Sequence, residues 1–252
     1  DRSPSRGLGD VYKRQTIKET QNIMSVAGRE NTERAVIIEK NSQALLERVR
    51  LIQNAKDEII LSTFAFKSDE SGKLILGALH GAADRGVHVR ILVDGMESWI
   101  DMEGNPYFYG LSSHENVEIK LYNKANPLKP WKTMGRMHDK YLIADGKIYI
   151  LGGRNTYNYF LGDFPGHKNF DRDVLVVCDE PQKDNSVNQL WNYFETIWEQ
   201  EDCRYFHNSK KLADRQSVKK AVLELQEGYQ QYFEVNKEKI CDTDYALSLI
   251  HI

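Results

Sequence analysis

The chain has 252 residues, of which 40% are apolar and 28% charged, with a formal charge of −3 and three cysteines. That length supports one generous domain or one and a half ordinary ones, and the composition excludes disorder, a collagen-like fibre and a disulfide-stapled miniprotein. The apolar stretch from Leu74 to Ala83 is bounded by Lys73 and Asp84 and no 18-residue run is free of charge, so nothing reads as a bilayer-spanning helix. Cys178, Cys203 and Cys241 are scattered and no CxxC occurs, which fits free thiols in a reducing compartment rather than a zinc site or disulfide framework.

The two ends are read apart from the rest. Residues 10–15 (DVYKRQ) and 247–252 (LSLIHI) can be encoded by one DNA string, GAT GTG TAT AAG AGA CAG, and its reverse complement. The string resembles the transposon end used to fragment DNA for sequencing, and residues 5–9 (SRGLG) resemble the adapter that precedes it. Residues 1–15 and 247–252 are therefore expected to be adapter-derived and are set aside from fold reasoning. Residues 16–246 are expected to be cut from a longer gene. Without the ends the formal charge is −5, which argues against broad nonspecific nucleic-acid binding but leaves room for a local phosphate site.

In chain order, residues 16–34 are polar and patternless and read as a linker or truncated upstream segment. Order begins near Ala35. Asn41 or Ser42 caps a helix carrying Leu45, Val49 and Ile52, and Glu58 to Phe66 (EIILSTFAF) reads as a buried strand. Asp69 or Ser71 starts a helix with Leu74, Ala78, Leu79 and Ala82 on one face, Gly86 stops it, and Val87 to Val93 is a β-branched strand. Such a unit implies a mixed, mostly parallel α/β sheet flanked by helices, because parallel neighbours need a crossover. Val117 to Tyr122 is a third strand after an irregular excursion over residues 96–116. Residues 137–151 then form a hairpin turning at Asp145-Gly146. Val174 to Cys178 is a further strand, residues 185–200 an amphipathic helix, and residues 217–235 another helix.

The chemistry concentrates on that hairpin. His138 and Lys140 sit two apart in a predicted strand, so an imidazole and an ammonium leave the same face. The return strand ends in Gly152-Gly153-Arg154-Asn155, beside His138 at the hairpin's open end. Lys140 and Asn155 suit the nonbridging oxygens of a phosphodiester, Gly152 and Gly153 let backbone approach it, and His138 suits a nucleophile or proton carrier. Asp145 occupies the turn, where a structural role is open to it. Arg154 is assigned no role.

Together these residues read HxKx4Dx6GGxN, and the pattern resembles the signature of the phospholipase D superfamily. The run RMHDKYLIADGKIYILGGRN, followed by FDRDVLVV, is most similar to the bacterial cardiolipin synthase-like branch, and the likeness covers roughly residues 41–198. The resemblance implies a phospholipase D-like catalytic half-domain over residues 35–205, and a helical segment over 206–246 leading to a missing second half. It also implies chemistry with no metal and no cofactor. One motif histidine forms a phosphohistidine, a second motif's histidine protonates the departing alcohol, and His138, Lys140, Asp145, Asn155 and Asp171 form this chain's catalytic set. Superfamily members orient the histidine with an acid on the strand after the motif. Asp171 is favoured over Asp173, since it heads the DxDVL run. No other histidine here is followed by lysine two positions on, so the isolated fragment is expected to be inactive.

The loop before the hairpin carries Lys129, Trp131, Lys132 and Arg136, which suit a lipid headgroup at a membrane surface. The leading expectation is a phospholipid phosphatidyltransferase or phospholipase D at the cytoplasmic face of a bacterial cell membrane, peripheral or anchored by a segment outside this fragment. Its partners would be a phospholipid substrate and either the missing half or a homodimer mate. Two alternatives remain open: a single-motif phosphodiesterase or nuclease working as a homodimer, and a silent lipid-phosphate-binding module.

Overall fold

In the computed structural model the described residues are 33–124, 135–178, 185–207 and 209–243. The first half runs β1 (Glu33–Ile38), α1 (Asn41–Asn54), β2 (Glu58–Thr63), α2 (Glu70–Asp84), β3 (His88–Asp94), α3 (Gly95–Asp101), α4 (Pro106–Ser112) and β4 (Val117–Tyr122). The second half runs β5 (Lys140–Ala144), β6 (Ile148–Gly152), β7 (Asp173–Cys178), α5 (Ser186–Trp198), β8 (Cys203–Tyr205), α6 (Lys210–Ala213) and α7 (Gln216–Cys241).

The strands form one sheet in the order β1-β7-β6-β5-β2-β3-β4-β8. It is a mixed sheet flanked by helices, as expected, but its parallel part is confined to β2, β3 and β4. The other pairings are antiparallel. The strand–helix–strand rhythm of the first half governs only those three strands; β5 and β6 are joined by a tight turn, which permits antiparallel pairing alone.

Alternation sorts the core into two layers. Ile59, Leu61, Val89, Ile91, Val93, Leu142 and Ile150 pack with α1, α2, α4 and α7 on one face. Ile60, Leu92, Tyr141, Ile143 and Tyr149 pack on the other face against Val187, Phe194 and Trp198 of α5. Asp69 caps α2 by accepting from the Gly72 N–H at 3.1 Å, and Gly86 ends the connection with a φ of +92°, which an L side chain rarely adopts. α7 lies close on α2, where a Cβ at Gly77 would stand 2.6 Å from the Leu225 carbonyl oxygen.

Several elements escaped the sequence reading. β1 begins two residues before the expected onset of order and pairs along its whole length with β7, with Ala35 opposite Val176. The excursion over residues 96–116 contains α3 and α4, whose caps are the side chains of Asp94 and Asn105, with Pro106 in the first turn of α4. The three residues of β8 close the far edge. No helix among the described residues is long and apolar enough to cross a membrane.

Candidate active site

The ends of β2, β3 and β6 and the starts of β5 and β7 lie along one edge of the sheet. Thr63 stands opposite Lys140, Leu151 opposite Tyr141, and Gly152 opposite Asp173. The motif is therefore assembled where strands end and backbone is free to meet a ligand.

His138 precedes β5 rather than lying in it, in a segment over residues 135–139 that belongs to no helix or strand. Each neighbour of His138 in that segment is held. The buried Asp94 accepts the Met137 N–H at 3.0 Å and the Arg136 Nε–H at 2.9 Å. Asp139 points to the other face, where it accepts the Tyr193 hydroxyl at 2.8 Å. Burial and that carboxylate push the Tyr193 hydroxyl up to about 12. The His138 carbonyl accepts Lys140 Nζ at 2.7 Å. The His138 ring is exposed, makes no hydrogen bond among the described residues, and rests edge-on against Phe64 with ring centres 4.6 Å apart.

Lys140 is 5% exposed and has no carboxylate within ion-pair distance among the described residues. Burial holds its ammonium below the usual lysine range, against the opposing pull of Asp139 and Asp171. Phe64 lies beneath two cations, with Lys140 Nζ 5.3 Å and the guanidinium of Arg136, just before the motif, 4.9 Å from its ring centre. A buried, unpaired ammonium is a standing demand for an anion.

Asn155 reaches the same edge from the other strand. Its Oδ1 accepts the Ala65 N–H at 3.2 Å, which fixes the amide so that Nδ2 is a donor with no partner among the described residues. The residues around it dock on the β2–α2 connection: Thr156 donates to the Ala65 carbonyl at 3.0 Å, and Asn158 accepts from the Ser71 N–H at 2.8 Å.

Not every expected site residue arrives there. Asp145 lies at the opposite end of the hairpin, with φ +52°. Its carboxylate accepts backbone N–H groups of Lys56 at 3.0 Å, Asp57 at 2.9 Å and Glu58 at 3.0 Å. It therefore ties the α1–β2 turn to the hairpin instead of meeting a substrate. Gly152 and Gly153 also have a reason other than ligand approach. The Asp173 carboxylate occupies the space a Cβ would take at Gly152, and the Asp171 carboxylate does so at Gly153.

The two aspartates divide. Asp173 is buried and paired with Arg48 at 2.9 Å and Arg154 at 3.2 Å, so it is spent on structure. Asp171 stays partly exposed beside Gly153, close enough to act on Lys140, and makes no hydrogen bond to the His138 ring. Arg136 is tied to Asp94 and to Glu97 at 2.9 Å each, and so is not a free headgroup contact. Lys129, Trp131 and Lys132 lie outside the described residues.

Asp94, Phe64, Tyr193 and Arg154 were not picked out from the sequence. Arg154 is 1% exposed and bonds Asn41 Oδ1 and the carbonyls of Ile38 and Glu39, besides Asp173. Asp94 did carry a signal, a charged residue at the end of the buried run VHVRILVD, where ligand sites of parallel sheets gather.

Comparison with known proteins fits this edge into a family. The sequence pattern described as "Cardiolipin synthase, PLD-like domain" matches residues 49–198, which contain the whole motif edge. The chain belongs to that family. An "Uncharacterized protein" of Helicobacter pylori (strain ATCC 700392 / 26695) is 33% identical over 181 residues, covering 66% of this chain and 35% of that protein. Cardiolipin synthase C of Escherichia coli (strain K12) is 29% identical over 154 residues, covering 56% and 31%. The chain thus spans about a third of the length of these curated relatives. Among solved structures, NucT from Helicobacter pylori aligns with a TM-score of 0.52 at 17% identity, covering 69% of this chain and 99% of that one. Phosphatidylserine synthase of Haemophilus influenzae Rd KW20 aligns at 0.55 and 16%, covering 79% and 44%. These two likenesses establish the fold.

Proposed function

We propose that the chain carries one half of the active site of a cardiolipin synthase-like phosphatidyltransferase or phospholipase D. One observation supports this reading above the others: an imidazole and a buried ammonium that have no side-chain hydrogen bond or ion pair among the described residues, and a fixed amide donor, are gathered at one end of the hairpin, in a family whose pattern covers all three.

In this reading a ring nitrogen of His138 attacks the phosphorus of a phospholipid diester. A nitrogen–phosphorus bond forms as the bond to the departing alcohol oxygen breaks, and that alcohol takes a proton from the histidine of a second motif. A second alcohol, or water, returns a proton to the second motif's histidine and attacks the phosphohistidine; the new oxygen–phosphorus bond forms as the nitrogen–phosphorus bond breaks, which releases His138. Lys140 and Asn155 Nδ2 hold the nonbridging oxygens as charge gathers on them. Asp171 steadies the charge on Lys140 and orients His138 once substrate draws the edge together. The second motif comes from the remainder of a longer protein, and the reaction takes place at a membrane surface.

The test is an assay of the intact gene product on phosphatidylglycerol, phosphatidylethanolamine and single-stranded DNA. Transfer of a phosphatidyl group to an added alcohol supports the proposal. Cleavage of DNA alone, by a homodimer of single-motif chains, would replace it with the nuclease reading.

A further inference from the structure

We infer that Asp94, together with Arg136, positions His138. This rests on the proposed role of His138 as the reacting group. Asp94 is 1% exposed and cannot meet substrate itself. Its carboxylate nevertheless gathers the two residues that lead into His138. Oδ1 accepts from Arg136 Nε at 2.9 Å and from the N–H groups of Met96 at 3.1 Å and Glu97 at 3.3 Å, while Oδ2 accepts the Met137 N–H at 3.0 Å.

The segment over residues 135–139 belongs to no strand, so no ladder of backbone bonds fixes it. Asp94 supplies the missing anchor, and α3 supplies a rigid base for it, because the same carboxylate caps that helix. Arg136 extends the anchor to the ring. Its Nη2 bonds Glu97 Oε1 at 2.9 Å, and its guanidinium lies over Phe64, the ring against which His138 rests. Positions 136, 138 and 140 thus share Phe64 as a common floor, and Asp94 determines where the first of them sits.

Two variants of the intact protein test the assignment, with bis(p-nitrophenyl) phosphate as the diester probe. Asp94→Asn puts an amide donor where an acceptor is needed. Arg136→Gln leaves the carboxylate and the helix cap in place, and since the Arg136 side chain is 35% exposed the variant should fold normally. In both, kcat should fall roughly 10- to 100-fold, the effect of a reacting group displaced by about an ångström. KM should change by less than about twofold. Arg136→Lys, which keeps a cation facing Asp94, should recover part of the rate. The ring protons of His138, identified by their loss in His138→Asn, should move in the NMR spectrum as the ring shifts on Phe64. A folded Arg136→Gln protein with wild-type kcat and an unmoved His138 signal would overturn the assignment. If the wild type and His138→Asn proved equally inactive on every diester, the phosphodiester reading would fall, and the ring signals would still decide whether Asp94 and Arg136 place His138.

Discussion

The two ends of one hairpin, β5 and β6, are built on opposite rules. At the turn, the Asp145 carboxylate is met by three successive backbone N–H groups. At the open end, among the described residues, the His138 ring has no hydrogen bond, the Lys140 ammonium has only a backbone carbonyl, and Asn155 has a donor to spare. Both ends carry residues of a single motif, so the motif does not describe a single site. One end stabilises the fold, and the other gives up stability to leave polar groups ready for a ligand.

That contrast can be tested from each end. Replacing His138 with Asn should lower turnover of the intact protein by roughly a thousandfold or more, the scale on which nucleophiles are lost. Its melting temperature should change little, because the exposed ring makes no hydrogen bond among the described residues. Beside the open end, Arg154→Met would strand the buried Asp173 carboxylate with one partner fewer and should cost about 3–5 kcal/mol in urea unfolding. Asp145→Ala at the turn should cost about 1–3 kcal/mol, since the freed N–H groups are partly rescued by water, while kcat per folded molecule stays at the wild-type value. A large fall in kcat in folded Asp145→Ala would show that the turn end takes part in catalysis after all.

The smallest effect has the least usual sign. Lys140→Met should abolish turnover yet stabilise the fold at pH 7 by about 1 kcal/mol, as relief of a functional burial does. The folded-state pKa of Lys140 is lowered by burial. Well above the usual lysine range both folded and unfolded chains are neutral there and burial carries no penalty. As pH falls through that range the unfolded chain binds its proton first, and the penalty is complete once pH lies below the folded pKa. The stabilisation by Lys140→Met should therefore be full below the lowered pKa and shrink as pH rises through it, a trend that denaturation at several pH values will check. A destabilised Lys140→Met protein at pH 7 would mean that the ammonium is structural.

What could be read from the sequence was what is local. The spacing of His138, Lys140 and Asn155 along a hairpin, and the Asp-Gly turn between them, lie within 18 consecutive residues, and the structure brings the three to one edge. The rest depends on contacts made across the chain. The amides held by Asp145 are 87 to 89 residues away, the carbonyls held by Arg154 more than 100, and Asp94 reaches Met137 across 43. No spacing rule exposes such pairs. The glycines show the same limit: their local pattern suggested room for a ligand, and the side chains of Asp171 and Asp173 fill it. Likewise β1 went unseen because Glu33 to Ile38 becomes a strand only by pairing with β7, far along the chain.

The most direct measurement is the mass of the intact protein, quenched at neutral to alkaline pH within its first turnovers of a phosphodiester. The account predicts a covalent adduct that carries the phosphorus and the diester's remaining ester group, maps to His138, vanishes as a second alcohol is added, and never forms in His138→Asn. Steady turnover with His138 unmodified, or an adduct that maps to another residue, would contradict it.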